Sequence, residues 1–364
     1  MSGRTAENRN TGMDCLRFIC SLLVVCIHVP AAGGTVIIPI ARSAVPVFAM
    51  ITGYYFSETE KHNKLAKQTW KIFKLALSSQ ILYLALGYLT GFIRAGVPLE
   101  LPVFCAFAKE WTRYLVFESD EIWRLLFLFG VTSHGVQLWY LNALLVTLIF
   151  VAVWRRFFDR KRLYVLVPLL LISNLLLGAY SMPVLGRQFG MEYSRNALFT
   201  ILPFFLMGDM LYVYRDKLKI STGVWYILLV LSLLSVQVES SVLEKSFSEA
   251  SSDLYFSTII SSVALLMLAS SGFGIRRVSG IVELFAGLGR KYSTRLYILH
   301  TMVVQIAQSL ITLISRWKPG AARLSPYVSA LSVTLVTILV LMLTDKMRDA
   351  LKKLWGEMTW KKAQ

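Results

Sequence analysis

The sequence has little charge for its length. Of its 364 residues only 16% are Asp, Glu, Lys or Arg, whereas 56% are hydrophobic, and the mean hydropathy is +0.59. A water-soluble core of this size does not need so large an apolar fraction. The composition therefore excludes a soluble enzyme, a disordered chain and a secreted disulfide scaffold.

Cysteines are also scarce, and the sequence lacks several motifs of known chemistry. Three of the 4 cysteines, Cys15, Cys20 and Cys26, share one apolar stretch, and Cys105 stands alone. This arrangement offers neither a paired-loop framework nor metal-ligand spacing. The chain also has no GxxxxGK phosphate loop, no HExxH zinc motif and no GxSxG nucleophile elbow. We therefore predict no metal site, no ATP pump and no membrane zinc protease.

What the sequence does contain is a series of long apolar runs. Each is close to the length that a helix needs to cross a hydrocarbon core of roughly 30 Å at about 1.5 Å per residue. They fall at 16–32, 36–56, 74–93, 136–153, 163–179, 196–214, 223–238, 254–271, 296–315 and 326–344. The sequence thus predicts an all-α, polytopic integral membrane protein with about ten transmembrane helices.

The net charge of +17 follows from where the basic residues lie. Most Lys and Arg residues fall in the segments that share a side with the amino terminus, so the positive-inside rule predicts that both termini are cytoplasmic. No nucleic-acid partner is needed to explain the charge. We predict a cytoplasmic tail at 1–13, a transmembrane domain at 14–345 and a basic cytoplasmic tail at 346–364. Residues 94–135 are predicted to lie along the outer interface, and 239–253 to form an acidic external loop.

His28 is the first candidate for chemistry, because ionisable residues at membrane depth are costly and often functional. It follows Asp14 by 14 residues, or about 21 Å of helix, which places it two-thirds of the way toward the outside. An imidazole there can take a proton from a hydroxyl and return it, although a structural histidine is an equal alternative. Arg42 enters the next span to a similar depth. It could hold a carboxylate, stabilise an oxyanion or keep His28 neutral, or it could reach the outer headgroups.

Basic residues also mark the cytoplasmic edge of the predicted bundle. Arg17 lies one turn after Asp14, a pair that can also simply anchor a helix. Lys71 and Lys74 share a face of the third span. They suit the phosphates of a nucleotide-like ligand, although they are equally the ordinary basic end of a cytoplasmic helix.

Two further titratable residues have weaker claims. Counted from Arg295, His300 lies only five residues into the ninth span, so it is predicted near the inner leaflet and away from His28, in a packing or gating role. Arg195 opens the sixth span from the outside. With Arg42 it would form a cationic mouth.

Several short motifs occur in a fixed order along the chain. They are Asp14-x-x-Arg17 with His28 eleven residues later, Val45-Pro46-Val47-Phe48, Thr52-Gly53-Tyr54-Tyr55, Leu138-Trp139-Tyr140, Leu202 through Gly208, and Ser293 through His300. From about residue 12 to 345 they resemble the acyltransferase 3 family of bacterial ten-helix membrane proteins. The context of Arg42 and the segment Arg195-Asn196-Ala197-Leu198-Phe199 look most like the membrane half of vancomycin-resistance serine racemases, whose soluble racemase domain is not part of this sequence.

The resemblance implies roles for individual residues. The histidine matching His28 is the family's catalytic base, and the arginine matching Arg17 is essential beside it. We add Asp14, one turn before Arg17, as a third candidate catalytic residue. A paired-basic motif on the third helix contacts the acyl-CoA donor, and here it reads Lys71-x-x-Lys74, which keeps the charge but loses the bidentate fork of arginine. Four residues are assigned to substrate binding: Arg42, Arg195, Tyr140 and His300.

Two functions remain open at this point. The first is a membrane O-acyltransferase of the bacterial plasma membrane, which moves an acyl group, acetyl by default, from cytoplasmic acetyl-CoA or another acyl-CoA to a hydroxyl of a cell-envelope glycan or small acceptor. The second is a carrier or binding module for a small amino acid such as serine. The first would depend on His28 and Lys71/Lys74, the second on Arg42 and Arg195. The oligomeric state is not predicted.

Overall fold

The structure, a computed structural model, describes residues 10–29, 33–61, 65–95, 133–218, 220–247, 254–274 and 280–361, and isolated positions 102, 105, 106 and 109. Most residues of this described part are helical, and none lies in a strand. The predicted all-α, polytopic fold class is therefore confirmed. The predicted interfacial segment 94–135 lies for the most part outside the described residues.

The described residues form eleven α-helices of eight or more residues. They are α1 Thr11–His28, α2 Gly34–Ala41, α3 Ala44–Lys61, α4 Leu65–Ala95, α5 Trp139–Trp154, α6 Leu166–Leu177, α7 Leu202–Tyr214, α8 Thr222–Ser246, α9 Phe256–Ser270, α10 Gly280–Trp317 and α11 Ala330–Lys361. Eight helical segments of the described chain are long and apolar enough to cross a membrane, and α9 is a shorter apolar helix. The short helix α6 occupies the fifth predicted span.

Some predicted boundaries are wrong. The second predicted span, 36–56, is interrupted between α2 and α3, where Arg42 and Ser43 separate the two helices. The ninth predicted span began at 296, but α10 begins at Gly280. The predicted acidic loop 239–253 is helical at its start, because α8 continues to Ser246. Within it, Glu239 accepts hydrogen bonds from the backbone N–H groups that open α9, so this acidic residue caps a helix.

Apolar side chains cover the outer faces of the bundle. On α8, Ile227, Leu231 and Leu234 are 59%, 58% and 61% exposed, and their spacing of three and four residues places them on one helix face. A soluble protein would bury such a stripe, whereas a hydrocarbon solvent accommodates it. These faces are consistent with contact to the lipid bilayer.

Helices α1 and α10 run side by side in the same direction. Asp14 pairs with Arg290 at one end of the bundle, the Ser21 hydroxyl donates to the Ser293 carbonyl at 3.2 Å further along, and His28 lies beside His300 at the other end. We call these the Asp14 end and the His28 end. This parallel packing sets the depth of every functional residue on α10.

Helices α3 and α7 meet backbone to backbone. A Cβ atom at Gly53 would collide with the Phe205 carbonyl, and one at Gly208 would collide with the Met50 carbonyl. Small residues allow such close approach, which is a main source of helix association in membranes. Two of the sequence motifs therefore have a packing role.

Polar contacts join neighbouring segments at the Asp14 end. The buried Asp209 carboxylate accepts hydrogen bonds from the Ser57 hydroxyl at 2.6 Å and the Tyr164 hydroxyl at 2.7 Å. Asp345 of α11, whose side chain is 5% exposed, pairs with Arg295 of α10 at 2.7 Å. These carboxylates are satisfied by structural partners, as buried charges in a membrane protein must be.

Candidate functional site

A cavity of about 280 Å³ opens at the His28 end, and we call it the His28 cavity. His28, Arg42 and Arg195 all line it, and no Asp or Glu is found among the described residues of its lining. Both arginines lie close enough to His28 to interact with it electrostatically. The structure thus brings three of the predicted site residues onto the walls of one positively charged cavity.

Breaks in the helices position these side chains. His28 is the last residue of α1. Arg42 follows the last residue of α2, and the adjacent Ser43 hydroxyl closes the turn by donating to the Ile40 carbonyl at 2.7 Å. The Asn174 amide donates to the Ser194 carbonyl at 2.9 Å, which fixes the backbone directly before Arg195.

The segment that carries Arg195 is irregular for a membrane-embedded chain. It comprises the single turn Met191–Ser194 and the π-helix Ala197–Ile201, which leads into α7. The Asn174 amide also donates to the Phe199 carbonyl at 3.1 Å. Irregular backbone at membrane depth is tolerated where it is buried in protein or lines a cavity, and π-helices are frequent at functional sites.

The predicted location of His300 is wrong. Its imidazole centroid lies 5.3 Å from that of His28, so His300 belongs to the His28 end and lies beside the residue from which it was predicted to be distant. The prediction counted depth from Arg295 as if that residue stood outside the span. Arg295 instead pairs with Asp345 at 2.7 Å along the packed α10 and α11 helices, and α10 has already passed Asp14 at Arg290.

A second cavity, of about 380 Å³, opens at the Asp14 end, and we call it the Lys71 cavity. Arg17, Lys71 and Arg290 supply its positive charge, and Tyr140 forms part of its wall. Lys74 is not among its lining residues. Its ammonium lies instead 5.7 Å from the Trp70 ring centroid. The two predicted donor lysines therefore occupy different surroundings.

Asp14 holds the cations of the Lys71 cavity in place. Its carboxylate contacts Arg17 at 3.3 Å and Arg290 at 3.4 Å. Asp14 itself does not line either cavity. Its geometry is that of an anchor for two guanidinium groups, not of a group that would touch a ligand.

Tyr297 is the only described residue that lines both cavities. Its ring packs edge-on against Tyr140, with centroids 5.8 Å apart, and against Phe48 at 6.4 Å. Its hydroxyl donates to the backbone carbonyl of Gln137, and Gln137 is also on the wall of the His28 cavity. We call Phe48, Tyr140 and Tyr297 the aromatic wall.

Sequence analysis missed Arg290 and Tyr297. A signal was present, since Arg290, Ser293, Tyr297 and His300 recur every three or four residues and therefore share one face of α10. Arg290, Ser293 and Tyr297 line the Lys71 cavity, and His300 contacts His28. This face of one helix connects the two cavities.

The described residues contain no group of three or more His, Cys, Asp or Glu side chains placed to hold a metal ion. The cationic side chains of the Lys71 cavity suit an anionic ligand instead. The cationic side chains of the His28 cavity line it together with the His28 imidazole, and His28 is an exposed residue.

A family model described as an acyltransferase domain matches residues 10–345. The chain belongs to the acyltransferase 3 family and is a multi-pass membrane protein that transfers acyl groups. No curated protein and no solved structure gave a match.

Proposed function

Starting from membership of the acyltransferase 3 family, we propose that the protein moves an acyl group across the bacterial plasma membrane. The donor is a cytoplasmic acyl-CoA, with acetyl-CoA as the default, and the acceptor is a hydroxyl of a cell-envelope glycan or another small molecule. The observation that carries the proposal is the pair of cavities on opposite sides of Tyr297. One cavity has a histidine base, the other a cationic surface.

The Asp14 end is the cytoplasmic end in this proposal. Lys71 and Arg290 line the cavity at this end. Arg155 directly follows α5, which begins at the His28 cavity with Trp139, and Arg215 directly follows α7. The positive-inside rule assigns such an end to the cytoplasm. Acyl-CoA is made in the cytoplasm, so the donor meets the Lys71 cavity and the acceptor meets the His28 cavity.

The Lys71 cavity binds the donor through its cations. Phosphate oxygens prefer guanidinium and ammonium donors, and Arg17, Lys71 and Arg290 line the cavity together. A volume of about 380 Å³ suits only a part of a coenzyme A thioester. We assign it to the thioester arm and the diphosphate next to it, with the nucleoside held outside the cavity. Residues 14–345 remain our proposal for the catalytic domain.

His28 acts as the catalytic base on the acceptor. It removes the hydroxyl proton, and the acceptor oxygen attacks the thioester carbonyl carbon. The carbon–sulfur bond then breaks, and the leaving sulfur takes the proton back from His28 to give free coenzyme A. Arg42 stabilises the oxyanion of the tetrahedral intermediate. Arg195 holds substrate in the His28 cavity and Tyr140 holds it in the Lys71 cavity.

The test uses purified protein in lipid vesicles with acetyl-CoA. The wild type should bind acetyl-CoA and slowly hydrolyse it. His28→Ala should bind it but hydrolyse it far more slowly, and Lys71→Ala should bind it more weakly. If the folded wild-type protein does not bind acetyl-CoA, the proposal is wrong.

One observation favours a second candidate function, that of an amino-acid carrier or binding module. Arg42 and Arg195 line the same cavity, as a carboxylate clamp for serine would require. A carrier should bind serine through both arginines and be indifferent to coenzyme A. Serine binding that Arg42→Ala abolishes and His28→Ala leaves intact, without any effect of acetyl-CoA, would favour this function over acyl transfer.

A further inference from the structure

The His300 side chain is fully buried, and one of its ring nitrogens has no partner among the described residues. Nδ1 lies 3.2 Å from the Leu296 carbonyl oxygen. A carbonyl oxygen can only accept, so Nδ1 carries the hydrogen, and Nε2 of the neutral ring is left with a lone pair. That Nε2 atom is buried without a hydrogen bond. Burying an acceptor without a hydrogen bond costs folding free energy, so the position of Nε2 indicates a functional role for His300.

The neighbour of His300 is the catalytic base. The two ring centroids are 5.3 Å apart and the rings are tilted by 41°, so a small rotation brings their nitrogens within hydrogen-bond reach. Hydrogen bonds of catalytic groups are often long in a ligand-free site and tighten with substrate.

His28 can donate to this acceptor in both protonation states, because the neutral ring already carries one N–H on the nitrogen that does not act as the base. Protonation makes this N–H a stronger donor. The imidazolium carries two N–H groups, of which one returns its proton to the leaving sulfur and the other requires an acceptor. The surrounding groups oppose the positive charge, because Arg42 and Arg195 interact with His28 and none of the described residues that line its cavity is an Asp or Glu. Among these described residues the usual carboxylate partner of a catalytic histidine is thus not found.

We propose that His300 is a positioning residue for the acyl transfer proposed above. Its Nε2 lone pair accepts a hydrogen bond from protonated His28, through the N–H that does not return its proton to the leaving sulfur. The bond fixes the orientation of the His28 ring and stabilises the imidazolium that forms when the acceptor hydroxyl is deprotonated. The Leu296 carbonyl holds His300 in the required tautomer, as second partners of catalytic histidines do.

Two substitutions of nearly equal size separate this role from simple packing. Glutamine can place an acceptor oxygen where Nε2 lies, whereas methionine fills the space with only a weak acceptor. His300→Met should lower kcat by roughly 10- to 100-fold with an unchanged KM for acetyl-CoA. His300→Gln should recover most of that loss. Thermal unfolding of both variants should be measured beside the wild type.

A double substitution tests whether His300 acts through His28. If it does, His28→Ala/His300→Met is as slow as His28→Ala alone, because residues that act as a unit are not additive. Wild-type kcat in His300→Met, equal losses in the Gln and Met variants, or additive losses in the double variant would overturn the role of His300 alone. A wild-type protein that is folded but cleaves no acetyl-CoA would overturn the proposed function as well.

Discussion

Replacing Tyr297 with phenylalanine should increase the hydrolysis of acyl-CoA in the absence of an acceptor. Tyr297 is 4% exposed and lines both cavities. Its hydroxyl is bound to the Gln137 backbone carbonyl, and under the proposed function this bond would hold the ring between water in the His28 cavity and a thioester in the Lys71 cavity. Phenylalanine keeps the ring and removes only the bond.

The size of the effect follows from that single hydrogen bond. A neutral intramolecular hydrogen bond contributes about 0.5–1.5 kcal/mol net, and about 1.4 kcal/mol corresponds to a factor of ten. The equilibrium between closed and open positions of the Tyr297 ring should therefore shift by roughly 2- to 12-fold toward open. The rate of hydrolysis should rise by the same factor, because water reaches the thioester only in the open position.

The assay measures free coenzyme A thiol released from acetyl-CoA by protein in lipid vesicles without an acceptor. Tyr83→Phe is the matched control, since the Tyr83 hydroxyl also donates to a backbone carbonyl of α10, that of Ile298, but Tyr83 lines neither cavity. Faster release by Tyr297→Phe with little change in Tyr83→Phe is expected. Equal rates for Tyr297→Phe and the wild type, at equal acetyl-CoA binding, would refute the role of the wall.

Three further predictions concern binding and stability. Lys71→Ala should weaken acetyl-CoA binding roughly tenfold, or about 1.4 kcal/mol. Lys74→Ala should leave the Kd nearly unchanged, because Lys74 does not line the Lys71 cavity. Equal effects of the two substitutions in a binding titration would contradict the assignment. Gly53→Ala should lower the stability by about 1–3 kcal/mol, since the added Cβ would meet the backbone of α7. Gly287→Ala should not, because the space around Gly287 is open. Identical melting curves for the two variants would contradict the close packing of α3 against α7. Asp345→Asn should lower the Tm, because three cations lose their shared carboxylate, and an unchanged Tm would show that the network adds no stability.

The helical architecture could be predicted from the sequence because hydrocarbon forces every backbone group to be satisfied within a helix. Counting residues from Asp14 gave His28 its depth, and the His28 cavity does contain Arg42. The ends of the helices were harder to predict. Hydropathy placed the start of the ninth span at the last charged residue, whereas α10 extends from Gly280 through several charged residues that are paired with other helices.

The pairing of helices is not encoded in hydropathy, and this explains the main errors at the site. The contact between His28 and His300 depends on the parallel packing of α1 and α10. The position of Tyr297 between two cavities depends on α5 and α10 meeting, as its contact with Tyr140 shows. Such contacts join residues far apart in the sequence, and a single sequence without homologues carries no signal for them.

The sidedness of thioester cleavage tests the central claim most directly. Sealed vesicles with the protein in one known orientation should receive acetyl-CoA on one face only, with a cell-envelope glycan fraction on the other. The account predicts release of coenzyme A only when acetyl-CoA is on the face that carries Lys71, transfer of the acetyl group to the opposite side, and loss of both in His28→Ala. Equal release from either face, or full activity of a folded His28→Ala protein, would contradict it.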